Sequence, residues 1–201
     1  DGDGDVLDRV VHVYEHGGFG LRNLGQAAEE FVLGQPTATA CGPRHLLAFR
    51  TSEAAQGAGP LNGDGDPTDG VLQVYDLENG TLANVGQAVT PCRLEICDPS
   101  TPYRVEGASV KFLTLESEQN QDLDGSGVVG GLVLQSFDTC SGVTTVIGPV
   151  DPATPSDPLD IEQSSQVFTA PGGRCSVVPA IACNPQADAC DDGTFCSPAT
   201  Q

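Results

Sequence analysis

Apolar residues in this chain come in short runs, alternating or continuous, and nowhere hold the three-to-four spacing of a long helix. His45-Leu46-Leu47-Ala48-Phe49-Arg50, Val71-Leu72-Gln73-Val74-Tyr75 and Leu82-Ala83-Asn84-Val85-Gly86 read as strands. Turn residues separate them, with 25 Gly and 15 Pro in the chain. Glu78-Asn79-Gly80-Thr81 is a hairpin signal, because Asn-Gly favours the primed turns that match strand twist. The pattern predicts strands over residues 30–33, 45–50, 71–75 and 82–88, then over 92–96, 109–115, 133–137 and 143–147.

This series repeats. Asp1-Gly2-Asp3-Gly4-Asp5 aligns with Asn62-Gly63-Asp64-Gly65-Asp66, and Leu21-Arg22-Asn23-Leu24-Gly25-Gln26-Ala27 with Leu82-Ala83-Asn84-Val85-Gly86-Gln87-Ala88, both at an offset of 61. A degraded third copy reads Asp122-Leu123-Asp124-Gly125-Ser126-Gly127, followed by Val133-Leu134-Gln135-Ser136-Phe137-Asp138. A period near 60 marks a repeat architecture. Four-stranded antiparallel units in tandem are the pattern of β-propeller blades. We therefore expect an all-β fold: a half unit over 1–29, whole units over 30–90 and 91–150, a linker over 151–165 and a disulfide-rich tail over 166–201. So few units fall short of the roughly 4–8 blades that close a ring.

The half unit holds only the last two strands of a repeat. Its strand over 10–14, with Val10-Val11-His12-Val13, is expected to expose a β-branched edge. Upstream sequence, or a strand from a neighbouring subunit, is expected to cover it. Asp1 falls inside a repeat, so sequence is expected to be missing before it.

Composition narrows the partners. Asp and Glu number 28 against 8 Lys and Arg, a formal charge of -20. That charge disfavours nucleic acid and anionic membrane surfaces, and it suits divalent cations. No stretch approaches the roughly 20 apolar residues of a membrane span, and no signal peptide is visible. Eight cysteines, three histidines and no Cys-x-x-Cys argue for disulfides over zinc. Disulfides point to a secreted or cell-surface protein. Cys92 and Cys97 are spaced for a local bridge. Cys41 and Cys140 sit in loops, able to pair with each other or with the tail, and Cys175, Cys183, Cys190 and Cys196 are expected to pair among themselves.

The acidic loops carry the candidate chemistry. Calcium takes about 6–8 oxygens, and a loop supplies them by alternating side chains with glycines at the sharp turns. Asn62, Asp64, Asp66 and Asp69 form such a set, with the Thr68 carbonyl as a further ligand. Asp1, Asp3, Asp5 and Asp8 are the equivalent set in the first copy. The third copy keeps Asp122 and Asp124 but has Ser126, Val128 and Gly131 where the second has Asp64, Asp66 and Asp69. It is expected to bind weakly or not at all unless Glu116 or Glu118 lends a carboxylate. None of the loops is an EF-hand, because Gln73 and His12 stand where a bidentate Glu belongs.

Other residues are better explained structurally. His12 and His45 lie in strands, His16 completes no ligand spacing, and Ser52 and Ser136 lack a nucleophile-elbow context. Glu53 and Glu118 fall at matching positions after the second strand, as calcium ligands, a carboxylate pair or solvated ends. Asn79-Gly80-Thr81 is a glycosylation sequon on a turn.

The stretch from Leu61 to Asp76, with Phe49-Arg50-Thr51-Ser52-Glu53 before it and Asn84-Val85-Gly86-Gln87-Ala88 after it, resembles tandem propeller units of secreted bacterial proteins. The strand order is similar to TolB-type blades and the loop to the calcium loops of integrin-type propellers. Pro60 stands where such loops often open with Asp. The resemblance implies a calcium-binding, non-enzymatic surface scaffold, adhesin or filament subunit that associates with itself or with neighbouring β-repeats. A calcium-dependent glycan- or protein-binding module is the alternative, and a propeller hydrolase is disfavoured because no nucleophile–base set is present.

Overall fold

The computed structural model describes residues 1–15, 20–57, 59–92, 102–151 and 158–160. The chain divides into Asp1–Asp160 and Ile161–Gln201, and the second unit, with its four cysteines, lies outside the described residues.

In chain order, β1 (Val10–Glu15) and β2 (Gly20–Ala27) form a hairpin, and β3 (Phe31–Leu33) opens the middle unit. A small hairpin of β4 (Thr37–Thr39) and β5 (Gly42–Arg44) follows, then β6 (Leu46–Ser52), the one-turn helix α1 (Glu53–Gln56), β7 (Gly70–Asp76) and β8 (Thr81–Ala88). The last unit has β9 (Arg104–Glu106), β10 (Ser109–Leu115), the one-turn helix α2 (Glu116–Gln119), β11 (Leu132–Asp138) and β12 (Val143–Val150), with a 3-10 turn at Pro158–Asp160. The two four-stranded sheets run β3-β6-β7-β8 and β9-β10-β11-β12, all antiparallel. Among the described residues these blade-like sheets do not close into a propeller.

The strand expected over 92–96 lies outside the described residues except for Cys92, which is not in a strand. The outer position of the last sheet is held instead by Arg104–Glu106 against Lys111, Val110 and Ser109. The β4–β5 hairpin and both helices escaped prediction, since Thr37-Ala38-Thr39 and Gly42-Pro43-Arg44 hold no apolar run and a single helical turn carries no measurable period.

The middle sheet is covered on both faces, which explains why Leu46-Leu47-Ala48-Phe49 is a continuous apolar run rather than an alternation. Leu47, Phe49 and Tyr75 pack with Val11, Val13 and Leu24 of the β1–β2 hairpin. Leu46, Ala48, Leu72 and Val74 pack on the other side with Val110, Phe112 and Phe137 of the last sheet. Leu113 and Leu134, on that sheet's far face, are covered by Cys92 and Leu159.

A buried polar cluster and a covalent cross-link join the layers. Tyr103 is fully buried, its hydroxyl donating to Glu30, while Arg50 pairs with Glu29 and, at 2.6 Å, with Glu30. The Cys41–Cys140 disulfide ties the β4–β5 turn to the β11–β12 turn across 99 residues of sequence. A cross-link closing a loop near that length contributes about 4–5 kcal/mol in the chain-entropy account. Cys92 is also disulfide-bonded, and its partner lies outside the described residues.

The repeated Asn-x-Gly-Gln-Ala motif has a mechanical role. Gly25 and Gly86 adopt left-handed φ of 68° and 67°, beside register shifts between Val10 and His12 and between Val71 and Gln73. Asn23 and Asn84 accept the N–H of Gly25 and Gly86 at 2.7 and 2.9 Å, which locks that conformation. The strand end that follows is read by the next unit. Gln56 accepts the Ala27 N–H at 2.8 Å, and Gln119 accepts the Ala88 N–H at 2.6 Å.

Candidate metal centre

The second and third loops each lie between a second strand with its one-turn helix and the strand that follows, and the first loop leads into β1. In the second loop, Glu53 opens α1 and is 1% exposed. Ser52 caps that turn, its hydroxyl accepting the Ala55 N–H at 3.3 Å, and Gly57 closes it in the left-handed region. The Glu53 carboxylate accepts the N–H of Leu61, of Asn62 at 3.2 Å and of Asp69 at 3.3 Å. One buried side chain therefore fixes both ends of the loop.

Between those ends the side chains form a ladder. Asn62 Oδ1 accepts the Asp64 N–H at 3.2 Å, Asp64 Oδ1 the Asp66 N–H at 3.0 Å, and Asp66 Oδ1 the Thr68 N–H at 3.0 Å. Gly63 and Gly65 supply the positive φ, 82° and 101°, that such successive turns require. One oxygen of each carboxylate is used this way and the other is left over. Asp64 Oδ2 is buried with no hydrogen-bond partner. Carboxylate oxygens of Glu53, Asp66 and Asp69 lie within 4.8 Å of one another. Asp69 is 9% exposed, and its carboxyl is pushed up to about 7, first by burial and then by the charges of Asp66 and Asp64. Asn62 Nδ2 donates to it at 3.3 Å. Thr68 spends both its N–H and its hydroxyl on Asp66, so its side chain orients a carboxylate.

The first loop repeats the ladder. Asp1 Oδ1 accepts the Asp3 N–H at 3.4 Å, Asp3 Oδ1 the Asp5 N–H at 3.1 Å, and Asp5 Oδ1 the Leu7 N–H at 2.8 Å. Asp1, Asp3 and Asp8 bring carboxylate oxygens within 4.8 Å of one another, while Asp5 is not in the cluster. Asp1 Oδ2 and Asp8 Oδ2 are buried without partners. The Asp8 carboxyl is raised, by burial first and then by Asp5 and Asp3.

The third loop has similar geometry and a different outcome. Glu116, fully buried, accepts four amide N–H groups: Leu123 at 2.8 Å, Asp124 at 3.2 Å, Gly130 at 3.1 Å and Gly131 at 2.8 Å. These bonds, that of Gly130 foremost, hold its carboxyl low, at about 2. Both oxygens of Asp122 are bonded, to the N–H groups of Gly125, Ser126 and Gly127, and Asp124 accepts the Ser126 N–H. Glu116, Asp122 and Asp124 still converge within 4.8 Å, but no oxygen of this loop is left buried and unpartnered. A Cβ at Gly131, the position of Asp69 in the second loop, would meet Glu116 Oε2 at 3.1 Å, so a side chain there would have to displace that carboxylate by a few tenths of an ångström.

One correspondence needs correcting. The counterpart of Glu53 is Glu116, not Glu118. Glu118 lies two residues further on, where its carboxylate accepts the Thr90 hydroxyl at 2.7 Å and its carbonyl accepts from Asn62 Nδ2 at 3.1 Å. Gln56 and Gln119 were not singled out from sequence at all. Glu53-Ala54-Ala55-Gln56 and Glu116-Ser117-Glu118-Gln119 repeat the signal, but at an offset of 63 rather than 61.

In the first two loops, clustered carboxylates and orphaned buried oxygens fit a hard divalent cation, whose charge offsets the repulsion and whose shell takes oxygen ligands. Comparison with family profiles, with curated proteins and with solved structures finds no match for this chain.

Proposed function

We infer that this is a non-enzymatic extracellular scaffold built of propeller-like β-repeats, whose acidic loops bind calcium to stiffen the joints between repeats. The observation that carries this is the second loop, where Asp64 Oδ2 is buried without a partner beside the cluster of Glu53, Asp66 and Asp69. The role is structural rather than ligand-presenting, because the next unit grips the same loop. Asn62 Nδ2 donates to the Glu118 carbonyl at 3.1 Å, and Gln119 Nε2 donates to the Asn62 carbonyl at 3.4 Å. Ordering the loop therefore orders the joint. Asn62, Asp64, Asp66 and Asp69 would hold the ion there with Glu53, and Asp1, Asp3 and Asp8 would hold one in the first loop. Asp69, whose carboxyl is raised by burial and by Asp66 and Asp64, would ionise against the positive charge an ion would supply there. The Cys41–Cys140 bridge is in keeping with an oxidising compartment.

Calorimetric titration of the full chain with calcium, together with melting in chelator, tests this. Binding and a higher Tm with calcium are expected, amounting to about 2.7 kcal/mol at one hundred times Kd. Identical melting in calcium and in chelator, with no binding heat, overturns it.

A further inference from the structure

The middle and last units join their first and second strands differently. In the last unit Gly107-Ala108 alone connects β9 to β10, whereas in the middle unit residues 34–45 lie between β3 and β6 and carry the β4–β5 hairpin. The hairpin is therefore an addition that the sheet does not require. Among the described residues β4 and β5 pair only with each other. No residue from Thr37 to Arg44 is buried, so no apolar anchor seats the hairpin. It is held by the Cys41–Cys140 bridge at its tip and by Arg44 Nε, 3.5 Å from Asp76 Oδ2, at its base. Between it and the sheets lies a cleft of about 390 Å³, with Cys41 and Arg44 on the hairpin side and Val74, Asp76, Ala83 and Phe137 on the sheet side.

The two ends of the bridge are unequal. Cys140 stands on a turn that fixes itself: Asp138 Oδ1 accepts the N–H of Cys140 at 3.0 Å and of Ser141 at 2.7 Å, and the Gly142 N–H bonds to the Asp138 carbonyl at 2.8 Å. Cys41 stands on the hairpin. Both cysteines are exposed, whereas Cys92, also disulfide-bonded, is 3% exposed. Exposed disulfides are the ones that thiols reach. We propose that Cys41–Cys140 is a redox latch: oxidised, it holds the β4–β5 hairpin over the cleft, and reduced, it frees the hairpin and uncovers Val74, Ala83 and Phe137. A dithiol reductant is the co-reactant. One of its thiolates attacks a bridge sulfur, the S–S bond breaks, and the other cysteine leaves as a thiolate. The second thiol then displaces the mixed disulfide, so the reductant becomes a disulfide and its two protons end on Cys41 and Cys140. The latch lies at the opposite end of β6 from the second acidic loop and stands apart from the calcium reading.

Dithiothreitol titration of the folded full chain, followed by alkylation and peptide mass mapping, tests the lability. Cys41 and Cys140 are expected to be labelled together at a reductant concentration roughly tenfold below that which labels Cys92. Labelling of Cys92 first, or of all three at one concentration, overturns the proposal. Hydrogen exchange tests the opening, in the partly reduced protein and in a Cys41→Ser, Cys140→Ser double variant that leaves Cys92 bridged. Residues 37–44 are expected to exchange as an unstructured peptide does, while β6, β7, β10 and β11 stay protected. The neutral dye Nile red is expected to gain fluorescence in both samples. Parent-like protection of 37–44, or an unchanged dye signal, overturns the latch. So does loss of protection in all four strands, which makes the bridge a staple of the whole fold. The reduction arm decides the matter if the double variant fails to fold.

Discussion

The second and third loops are built on the same frame and solve one problem in opposite ways. Each hangs from a buried glutamate at the start of a one-turn helix, and each glutamate binds both ends of its loop. In the second loop Asp69 brings a further carboxylate into the site, and Asp64 keeps an unpartnered oxygen. In the third, Gly131 removes that side chain, and its N–H goes to Glu116 at 2.8 Å. In the proposed reading one loop would take an ion to balance its charge, whereas the carboxylates of the other accept its own amides. If the third loop holds no cation, the change took more than the absence of an aspartate, because its remaining acceptors found amide donors.

Removing the glutamates tests the frame itself and should have the largest effect. Glu53→Ala and Glu116→Ala each orphan several buried N–H groups, so each should lower Tm by roughly ten degrees or more. Only Glu53→Ala should also lose a bound calcium, counted by atomic absorption after gel filtration. Equal ion loss in both variants would erase the distinction between the loops.

Next comes the joint. Gln119→Ala leaves the buried Ala88 N–H without its acceptor and should cost about 1–3 kcal/mol in urea unfolding. Gln56→Ala should cost a similar amount through Ala27. If the second loop stiffens the joint, calcium should recover part of the Gln119→Ala loss. Recovery of none would separate the ion from the joint.

The loops should also differ in pH dependence. With Asp69 raised to about 7, the ion-free folded state binds more protons than the unfolded chain between about pH 4 and 7. Stability in chelator should therefore fall as pH rises through that window, and calcium or Asp69→Asn should flatten the slope. Glu116, held low at about 2, works the other way. Its contribution is present above the ordinary glutamate range and is lost as pH falls toward 2. Thermal melts across pH 3–8, with and without chelator, separate the two.

Much of this frame was legible in the sequence, and the parts that were not have physical reasons. Short apolar runs bounded by turn residues located β3, β6, β7, β8, β10, β11 and β12 to within a few residues, because strands buried on both faces are apolar along most of their length. The Asp-x-Asp spacing marked the loops because successive side-chain-to-backbone turns require it. Glu53 and Glu116 were harder. Each is separated from its loop by a helical turn and a variable connection, so the offset shifts between 61, 62 and 63, and an offset of 61 carries Glu53 onto Thr114 rather than onto Glu116. Gln56 and Gln119 bond to backbone, which leaves no complementary residue to find by eye. The outer strand Arg104–Glu106 is as short as β3 but holds one apolar residue between two charged ones, where β3 is Phe-Val-Leu.

The smallest predicted effect makes the finest comparison. Asp64→Asn and Asp124→Asn remove one charge each with little change of shape. Asp64 Oδ1 and Asp124 Oδ1 each accept a ladder N–H, at 3.0 and 2.9 Å, a bond that an asparagine oxygen can also make. Neither change should therefore move Tm in chelator by more than a few degrees. They should part in calcium. Asp64 has a buried oxygen with nothing bonded to it, and replacing that oxygen with an amide puts donor hydrogens where a cation would sit. Asp64→Asn should weaken calcium binding roughly tenfold or more, while Asp124→Asn should leave the calcium isotherm unchanged. If Asp124→Asn also removes an ion, the third loop is a working site whose amide bonds give way to metal. If Asp64→Asn binds calcium as the parent does, its buried oxygen is a packing accident, and the two loops differ in sequence without differing in function.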